Sequence, residues 1–301
     1  MHVAVTGATG FIGRYLVPHL IAQGHSCRAW YRSTSRRDDF PSQIEWVTGE
    51  LGDSASAAQL VHGCDAVIHA ALDRPGPGFR GAEGEIPAFA QRNIIGSLQL
   101  IEAAKNTGVK RFVLVSTCAV HEQILDDRPL DELHPCTPLT HYGAHKAALE
   151  MFVHSYGWGE SFPICALRPT GVYGIAAPVE QSKWFPLVRD VVAGESVTCQ
   201  RGGKEVHAYD VARAAELLLH VDGTAGECFN CYDQYISQFD VATLAKQISG
   251  SDATISGQVT APKHQIETSK LKRLGMKFGG AKQLEQTVSQ LVEYNRQQVN
   301  T

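Results

Sequence analysis

Several features that would place this protein in other classes are missing from its sequence. No apolar run approaches the roughly 20 residues needed to span a bilayer, and the first segment has strand-like rather than signal-peptide character. The net charge is only −4, without a basic stripe or a charged tail. We therefore expect a cytoplasmic protein with no membrane segment and no nucleic-acid partner.

The cysteines also lack a ligand pattern. There are eight, scattered along the chain, and the only close pair is Cys228 and Cys231. Because no second pair stands at metal-ligand spacing, we predict no metal site. A redox-active pair is the alternative, but we predict that both thiols pack inside a strand of a reduced protein.

What the sequence does have is a regular run of glycines near its start. The segment VAVTGATGFIG, residues 3–13, places Gly7, Gly10 and Gly13 between a strand-like and a helix-like stretch. Gly7 permits a sharp turn, Gly10 lets a ligand approach the main chain, and Gly13 lets the helix pack close to the strand. The free N–H groups of that helix suit a pyrophosphate. An ordinary tight turn is the alternative, since the spacing departs by one residue from the common dinucleotide fingerprint.

The first two thirds of the chain alternate strand-like and helix-like segments, and the pattern loosens beyond Gly174. Such alternation predicts an α/β fold with a Rossmann-type, doubly wound parallel sheet. We assign the dinucleotide-binding domain to residues 1–174, with a return segment around 205–235. Residues 175–301 are predicted to form mainly a smaller, interleaved C-terminal substrate-binding lobe. Ser54 is predicted to cap the helix that follows it.

Five further segments, taken together with the glycine run, resemble one known family. They are HAA at residues 69–71, VSTCAV at 115–120, YGAHK at 142–146, LRPTGVYG at 167–174 and YDVARA at 209–214. In this order and at these separations they resemble motifs of the extended short-chain dehydrogenase/reductase family, which includes NAD-dependent epimerases and dehydratases. The resemblance implies a Rossmann domain, a smaller substrate domain and hydride-transfer chemistry.

Tyr142 and Lys146 form the predicted catalytic pair. Residues four apart share one helix face, and a nearby ammonium lowers the pKa of a phenol from its usual value near 10. The resemblance implies that Tyr142 exchanges a proton with a carbonyl or alcohol oxygen, and that Thr117 completes a catalytic triad. Ser116 also offers a hydroxyl, but we interpret it as a strand-end residue. His145 lies close to the same face, and we predict that it lies on the helix surface.

The resemblance further implies a bound NADP or NAD. Its predicted contacts are Gly7, Gly10, Phe11, Ile12, Gly13, Arg32, Glu50, Leu51, Ala70, Ala71, Asn93, Tyr142 and Lys146. Arg32 follows the second strand-like segment, where NAD enzymes carry an acidic residue for the ribose hydroxyl. An arginine there can pair with a 2′-phosphate, so NADP is preferred, although a basic surface loop is the alternative. Asn93 alternatively faces solvent or kinks its helix.

The expected substrate contacts differ from those of nucleotide-sugar enzymes. Gly171 and Gly203 stand where such members of the family often carry an Asn and an Arg, and Cys118 and Ala119 replace the Asp-Glu pair of the dehydratases. The substrate residues that we predict are Trp184, Phe185, Arg201 and Lys204. Of these, Arg201 and Lys204 could take over the missing diphosphate contacts.

We therefore interpret the protein as an NAD(P)-dependent oxidoreductase that acts on a small carbonyl or alcohol. A nucleotide-sugar epimerase with retained NAD(P) is the second hypothesis. A non-catalytic NADP-sensing regulator is the third, although the intact Tyr142–Lys146 pair argues against it. The family resemblance also implies a possible homodimer that uses the helices around Asn93 and Lys146.

Overall fold

A computed structural model gives the fold, and it describes residues 1–76, 81 and 83–299. Two units divide the chain. The first comprises Met1–Pro169, Val211–Cys231 and Ile266–Met276, and the second comprises Thr170–Asp210, Tyr232–Gln265 and the chain from Lys277 onward. The roles that we predict for the two parts, dinucleotide binding and substrate binding, stay predictions.

The elements follow one another in an order close to the predicted alternation. The strands are β1 (His2–Thr6), β2 (Ser26–Tyr31), β3 (Glu45–Thr48), β4 (Ala66–His69), β5 (Arg111–Val115), β6 (Ile164–Pro169), β7 (Gly171–Tyr173), β8 (Val197–Cys199), β9 (Gly202–His207), β10 (Cys228–Cys231), β11 (Gln234–Ser237) and β12 (Ile255–Gly257). The helices are α1 (Gly13–Ala22), α2 (Ser54–Val61), α3 (Ile86–Ala90), α4 (Gly96–Asn106), α5 (His141–His154), α6 (Phe185–Val192), α7 (Ala208–His220), α8 (Gln238–Ser249), α9 (Ser269–Arg273) and α10 (Gly280–Val299).

A seven-stranded parallel sheet organises the first unit. Its order is β10-β6-β5-β4-β1-β2-β3, and every neighbouring pair is parallel. The central strands β1, β4 and β5 are buried apart from the first residues of β1 and β5, as expected when helices cover both faces of a parallel sheet. The pairing of β1 with β4 places Thr6 beside His69 at their carboxyl ends. The predicted Rossmann-type α/β fold is therefore confirmed.

The second unit is built on smaller sheets. Strand β9 lies between β7 and β11 in a three-stranded sheet, while β8 pairs with β12. A separate hydrophobic core gathers residues of α6, α8 and α10, among them Val188, Val241 and Val288. This matches the predicted smaller, interleaved C-terminal part.

Two local predictions have clear outcomes. The prediction that Ser54 caps α2 is wrong, because the Asp53 carboxylate accepts hydrogen bonds from the backbone nitrogens of Ala55 and Ser56 at 3.0 and 3.3 Å. Cys228 and Cys231 are buried within β10 and are not joined by a disulfide, so the predicted packing inside a strand is confirmed. Across the described ranges, no helix is both long and apolar enough to cross a membrane.

Candidate active site

The glycine run forms the turn between β1 and α1, at the carboxyl end of the sheet. Gly7 has φ +71°, and a Cβ there would approach the backbone of Ala70 to 2.6 Å. At Gly13 a Cβ would collide with the carbonyl oxygens of Gly7 and Ala8. Gly10 is exposed and closes the turn by donating from its nitrogen to the Gly7 carbonyl at 3.0 Å. The turn therefore needs a residue without a side chain at Gly7 and at Gly13, and it exposes main chain at Gly10.

The remaining predicted residues of this region lie around the turn. Ile12 immediately precedes α1, and the Phe11 ring packs edge-on against Tyr15 at 5.9 Å. Ala71 donates its N–H to the Thr6 hydroxyl at 3.2 Å. Leu51 differs from these residues, because it is buried in the hydrophobic core of the unit.

A buried chain of hydrogen bonds, which the sequence did not predict, holds the ends of β1 and β4. Burial and, secondarily, Lys146 lower the pKa of His69 to about 3, so the ring is neutral. Ser97 donates its hydroxyl hydrogen to the Asn93 carbonyl, so Ser97 accepts from His69 Nε2 at 2.8 Å. His69 Nδ1 then accepts from the Thr6 hydroxyl at 2.6 Å. In the sequence, only the HAA motif pointed to these hydrogen bonds.

Asn93 orders the segment after β4. It is buried within the wide helical turn Gln91–Ile95, so a solvent-facing position is wrong. Its side-chain oxygen accepts from the Asp73 nitrogen, and its side-chain nitrogen donates to the Asp73 carbonyl, both at 2.8 Å. A second bond from that nitrogen reaches the Phe89 carbonyl at 3.0 Å. Asn93 thus positions the backbone at Asp73.

Arginine side chains gather around the carboxylate of Asp73. Arg32 directly follows β2, its side chain is 58% exposed, and its Nη1 lies 3.8 Å from Asp73 Oδ1. Arg92 Nε lies 3.6 Å from Asp73 Oδ2, and Arg92 Nη1 lies 4.0 Å from the exposed Glu50. Arg32 was predicted from the sequence, whereas Arg92 was not. These long, exposed ion pairs leave both guanidinium groups loosely held.

Tyr142 and Lys146 lie one turn apart on α5, as predicted. Lys146 is buried and donates from Nζ to the Val115 carbonyl at 2.8 Å. Burial lowers its pKa to about 8, and Glu150 opposes that shift. Between them, Gly143 allows close approach, because a Cβ there would lie 2.6 Å from the Ala119 carbonyl oxygen. The helix therefore brings Lys146 against the end of β5 and Gly143 against the turn that follows it.

The two hydroxyl candidates after β5 have different surroundings. Thr117 is almost buried, and its Oγ1 accepts from the Ala119 nitrogen at 3.1 Å, which caps the short turn Cys118–Val120. The accepting role leaves its hydroxyl hydrogen available for donation. Ser116 instead donates its hydroxyl to the buried Glu150, which also accepts two hydrogen bonds from Arg168 at 3.0 and 2.8 Å. Ser116 thus belongs to a buried structural network.

The prediction that His145 lies on the helix surface is wrong. It is 4% exposed, with its ring 5.3 Å from that of Tyr142 and 4.9 Å from that of Phe89. Burial, followed by Lys146, lowers its pKa to about 3. A neutral imidazole therefore packs directly against Tyr142. The helical spacing indicated this position, but the sequence did not show that α3 and the turn after it cover this face.

In the second unit, the predicted substrate residues occupy different environments. Trp184 precedes α6 with φ +68° and contacts the Tyr173 ring at 5.2 Å. Phe185 is part of the hydrophobic core and packs against Tyr294. Arg201 is exposed just before β9, and Lys204 is half-buried on that strand.

A buried carboxylate fills the space between two glycines of this unit. Glu205 is 3% exposed, and both of its oxygens accept from Lys183 Nζ at 2.5 Å. Burial raises its pKa, and Lys183 opposes that effect. A Cβ at Gly171 would lie 2.6 Å from one Glu205 oxygen, and a Cβ at Gly203 would collide with the other. Neither glycine position can therefore carry a side chain while Glu205 lies there.

Comparison with protein families gives a match over most of the chain. The model described as the NAD dependent epimerase/dehydratase family matches residues 3–231. A ketoreductase of Stigmatella aurantiaca, which acts on 4-hydroxy-2-methyl-3-oxo-4-farnesyl-3,4-dihydroquinoline-1-oxide, is 29% identical over 76% of this chain and 67% of its own. A UDP-glucose 4-epimerase of Rhizobium meliloti is 30% identical over 80% of this chain and 70% of its own.

Another relative matches this chain over only part of its own length. The 3 beta-hydroxysteroid dehydrogenase/Delta 5-->4-isomerase of Mycobacterium tuberculosis is 32% identical over 64% of this chain, a match that spans about half (52%) of its own length. Among solved structures, UDP-glucose 4-epimerase from Thermotoga maritima has a TM-score of 0.81 with 24% identity, covering 99% of this chain and 100% of its own. At that identity the likeness concerns the fold.

Proposed function

Since the chain belongs to the NAD-dependent epimerase/dehydratase family, we propose that it is an NADP-preferring oxidoreductase acting on a small carbonyl or alcohol. The observation that carries the proposal is the buried Lys146 one helical turn from Tyr142, beside the Thr117 segment. The relatives named as a ketoreductase and a hydroxysteroid dehydrogenase support a carbonyl or alcohol as the reacting group.

The glycine turn fits a dinucleotide. It exposes main chain at Gly10 and lies at the first turn of α1, where free N–H groups attract phosphate. When bound, the nicotinamide would accept or supply the hydride. Gly7, Gly10, Phe11, Ile12 and Gly13 would hold the diphosphate end.

Tyr142, in the proposed mechanism, gives its phenolic proton to the substrate oxygen during reduction and takes it back during oxidation. Lys146 favours the phenolate through its positive charge and, being buried, acts in a medium that screens this charge poorly. Thr117 donates its hydroxyl hydrogen to the same substrate oxygen and orients it. His145 holds the Tyr142 ring by packing against it.

The preference for NADP depends on Arg32 and gains support from Arg92. Both guanidinium groups are about half exposed and pair only loosely with Asp73, so a 2′-phosphate could replace that carboxylate as their partner. Glu50 is exposed next to Arg92 and pairs with it at 4.0 Å. Arg32 and Arg92 together offer two guanidinium groups to one phosphate, while Glu50 offsets part of their positive charge.

The Glu205 carboxylate supports a reductase over a nucleotide-sugar epimerase. A diphosphate needs cationic or N–H partners, whereas β9 presents a buried acid that already holds Lys183. The similarity to UDP-glucose 4-epimerases favours the epimerase as the second candidate.

The predicted homodimer is supported by exposed apolar side chains on α5, those of Met151 and Phe152.

The test is NADPH oxidation by the purified protein with a panel of ketones and aldehydes, measured in parallel with the Tyr142→Phe variant. We expect substrate-dependent oxidation that requires Tyr142. Micromolar binding of a nucleotide sugar that depends on Arg201 or Lys204 would instead make the epimerase the better assignment.

A further inference from the structure

A group of potential metal ligands lies at the amino-terminal edge of the parallel sheet, opposite the glycine turn. His25 immediately precedes β2, and Glu216 and His220 occupy the last turns of α7. All three belong to the first unit. Because β1 and β2 run parallel, the entry to β2 is at the other end of the sheet from the turn after β1. The proposed oxidoreductase mechanism uses none of these side chains.

The ligand atoms of the three residues already face one another. Glu216 Oε1 lies 3.5 Å from His25 Nε2 and 2.9 Å from His220 Nε2, and all three atoms lie within 4.8 Å of one another. The two imidazole rings are 5.4 Å apart and inclined by 34°. Zinc ligands at about 2.0–2.1 Å from a tetrahedral ion are themselves separated by about 3.3 Å. Small shifts would therefore meet that geometry, with Glu216 moving slightly away from His220 and slightly towards His25.

The surroundings of the group fix the orientation of one ligand and leave another accessible to solvent. His25 is nearly buried and its Nδ1 lies 3.3 Å from the Met1 nitrogen, so its Nε2 is the ring atom that faces Glu216. Glu216 is held between the two rings, while His220 is 45% exposed and can rotate. The exposed His220 side of the group is therefore the side from which water can reach a bound ion.

We propose that His25, Glu216 and His220 bind a single zinc-type divalent ion, with water completing its coordination. Two imidazoles and one carboxylate are a donor set that zinc accepts, and the carboxylate offsets part of the charge of the ion. The pair Glu216 and His220 has the i, i+4 spacing that places two ligands on one helix face. The sequence prediction of no metal site considered cysteine spacing, and the pattern does not reveal this group because His25 is 191 residues before Glu216.

The bound ion would connect the entry to β2 with the end of α7. An ion that binds the folded chain and not the unfolded chain raises stability by mass action. It lies at the opposite sheet edge from the glycine turn, so we expect zinc to raise the melting temperature without changing NADPH affinity. This combination separates a structural site from a catalytic one.

The experiment is a zinc titration by calorimetry on the full-length, untagged protein after removal of metals with a chelator. We expect one ion per chain with a dissociation constant of about 10 µM or lower. His220→Ala and Glu216→Gln should each weaken binding at least about 10-fold. His62→Ala, which alters an exposed histidine outside the group, is the matched control and should bind like the unmodified protein.

Cobalt binding gives a second readout, because cobalt(II) in a four- or five-coordinate site of this kind absorbs visible light. We expect absorption bands in the unmodified protein and in His62→Ala, and their loss in His220→Ala. A dissociation constant weaker than about 10 µM for the unmodified protein, or equal zinc affinity in both histidine variants, would overturn the proposal.

Discussion

Each unit buries a charged side chain, a lysine in the first and a glutamate in the second, and the two differ in their partners. In the first, Lys146 is buried against the Val115 carbonyl and lies one turn from Tyr142 on the same helix. In the second, the buried charge is the Glu205 carboxylate on β9. It is neutralised by the ammonium group of Lys183, which lies outside that strand. In the proposed mechanism the first arrangement leaves a cation that assists Tyr142, whereas the second uses a cation to hold an anion. We therefore propose that the reaction chemistry belongs to the first unit and that the second unit selects against anionic substrates.

The largest effect is expected at Tyr142. Tyr142→Phe keeps the ring that packs against His145 but removes the proton donor, so turnover should fall at least about 100-fold. Cofactor affinity, measured by fluorescence titration, should stay nearly unchanged. Tyr294→Phe, which removes a hydroxyl that bonds to Glu180 in the second unit, is the control and should retain activity. Near-normal turnover of Tyr142→Phe would remove the basis for placing chemistry in the first unit.

The charge of Lys146 sets the next effect. Its pKa is lowered to about 8 by burial, so it is cationic below that pH and neutral above it. Loss of the cation disfavours the Tyr142 phenolate, and we expect kcat/KM for reduction to fall as the pH rises through about 8. In Lys146→Arg, whose side chain stays charged, the fall should move to higher pH. Lys146→Met should lose activity and bind NADPH more weakly, and an unchanged pH profile in Lys146→Arg would contradict this role.

The sequence predicted those features that depend on neighbouring residues. The Tyr142–Lys146 pair follows from helical spacing, and the turn at Gly7 follows from strand, glycine and helix in succession. The parallel sheet follows from the alternation of elements. The helical pair and the turn are each decided within a few residues, and the sheet by a pattern repeated along the chain, so the amino-acid pattern carries the information.

Features that depend on distant contacts were not predicted. His145 has a surface-like position in its own helix, and only the packing of Phe89 buries it. Glu205 looks like an ordinary strand residue until Lys183, 22 positions earlier, is brought to it. The cap of α2 was misassigned by one residue, because the choice between Asp53 and Ser54 depends on backbone angles. Predicting these features requires knowing which helices and strands contact one another in the folded protein.

A smaller effect is expected at the cofactor end of the first unit. Arg32→Asp replaces the proposed 2′-phosphate partner with a repelling carboxylate, and should shift preference from NADPH towards NADH by about 10- to 100-fold. Arg36→Asp makes the same charge change at an exposed position four residues further along and is the control. Calorimetry with both cofactors measures the shift. Equal effects of the two variants would favour a generally basic loop over a specific contact at Arg32.

The smallest effect is expected in the second unit, whose buried charge is a carboxylate rather than an ammonium. We expect UDP-glucose to bind the unmodified protein with millimolar or weaker affinity, about −4 kcal/mol or less favourable. Glu205→Gln keeps the shape between Gly171 and Gly203, removes the negative charge and releases Lys183 from its ion pair. The released, partly exposed Lys183 ammonium would gain about 1 kcal/mol from one nearby phosphate charge in water, so affinity should rise about 3- to 10-fold.

Glu195→Gln removes an exposed carboxylate from the same unit and should leave UDP-glucose affinity unchanged. Calorimetry at low ionic strength gives the clearest difference, because salt screens exposed charges. Because Lys183 is 36% exposed, water can solvate its ammonium in Glu205→Gln, and that variant should fold. If Glu205→Gln bound UDP-glucose no better than Glu195→Gln, the buried carboxylate would not be what discriminates against diphosphates. Selection in the second unit would then depend on its shape rather than on its charge.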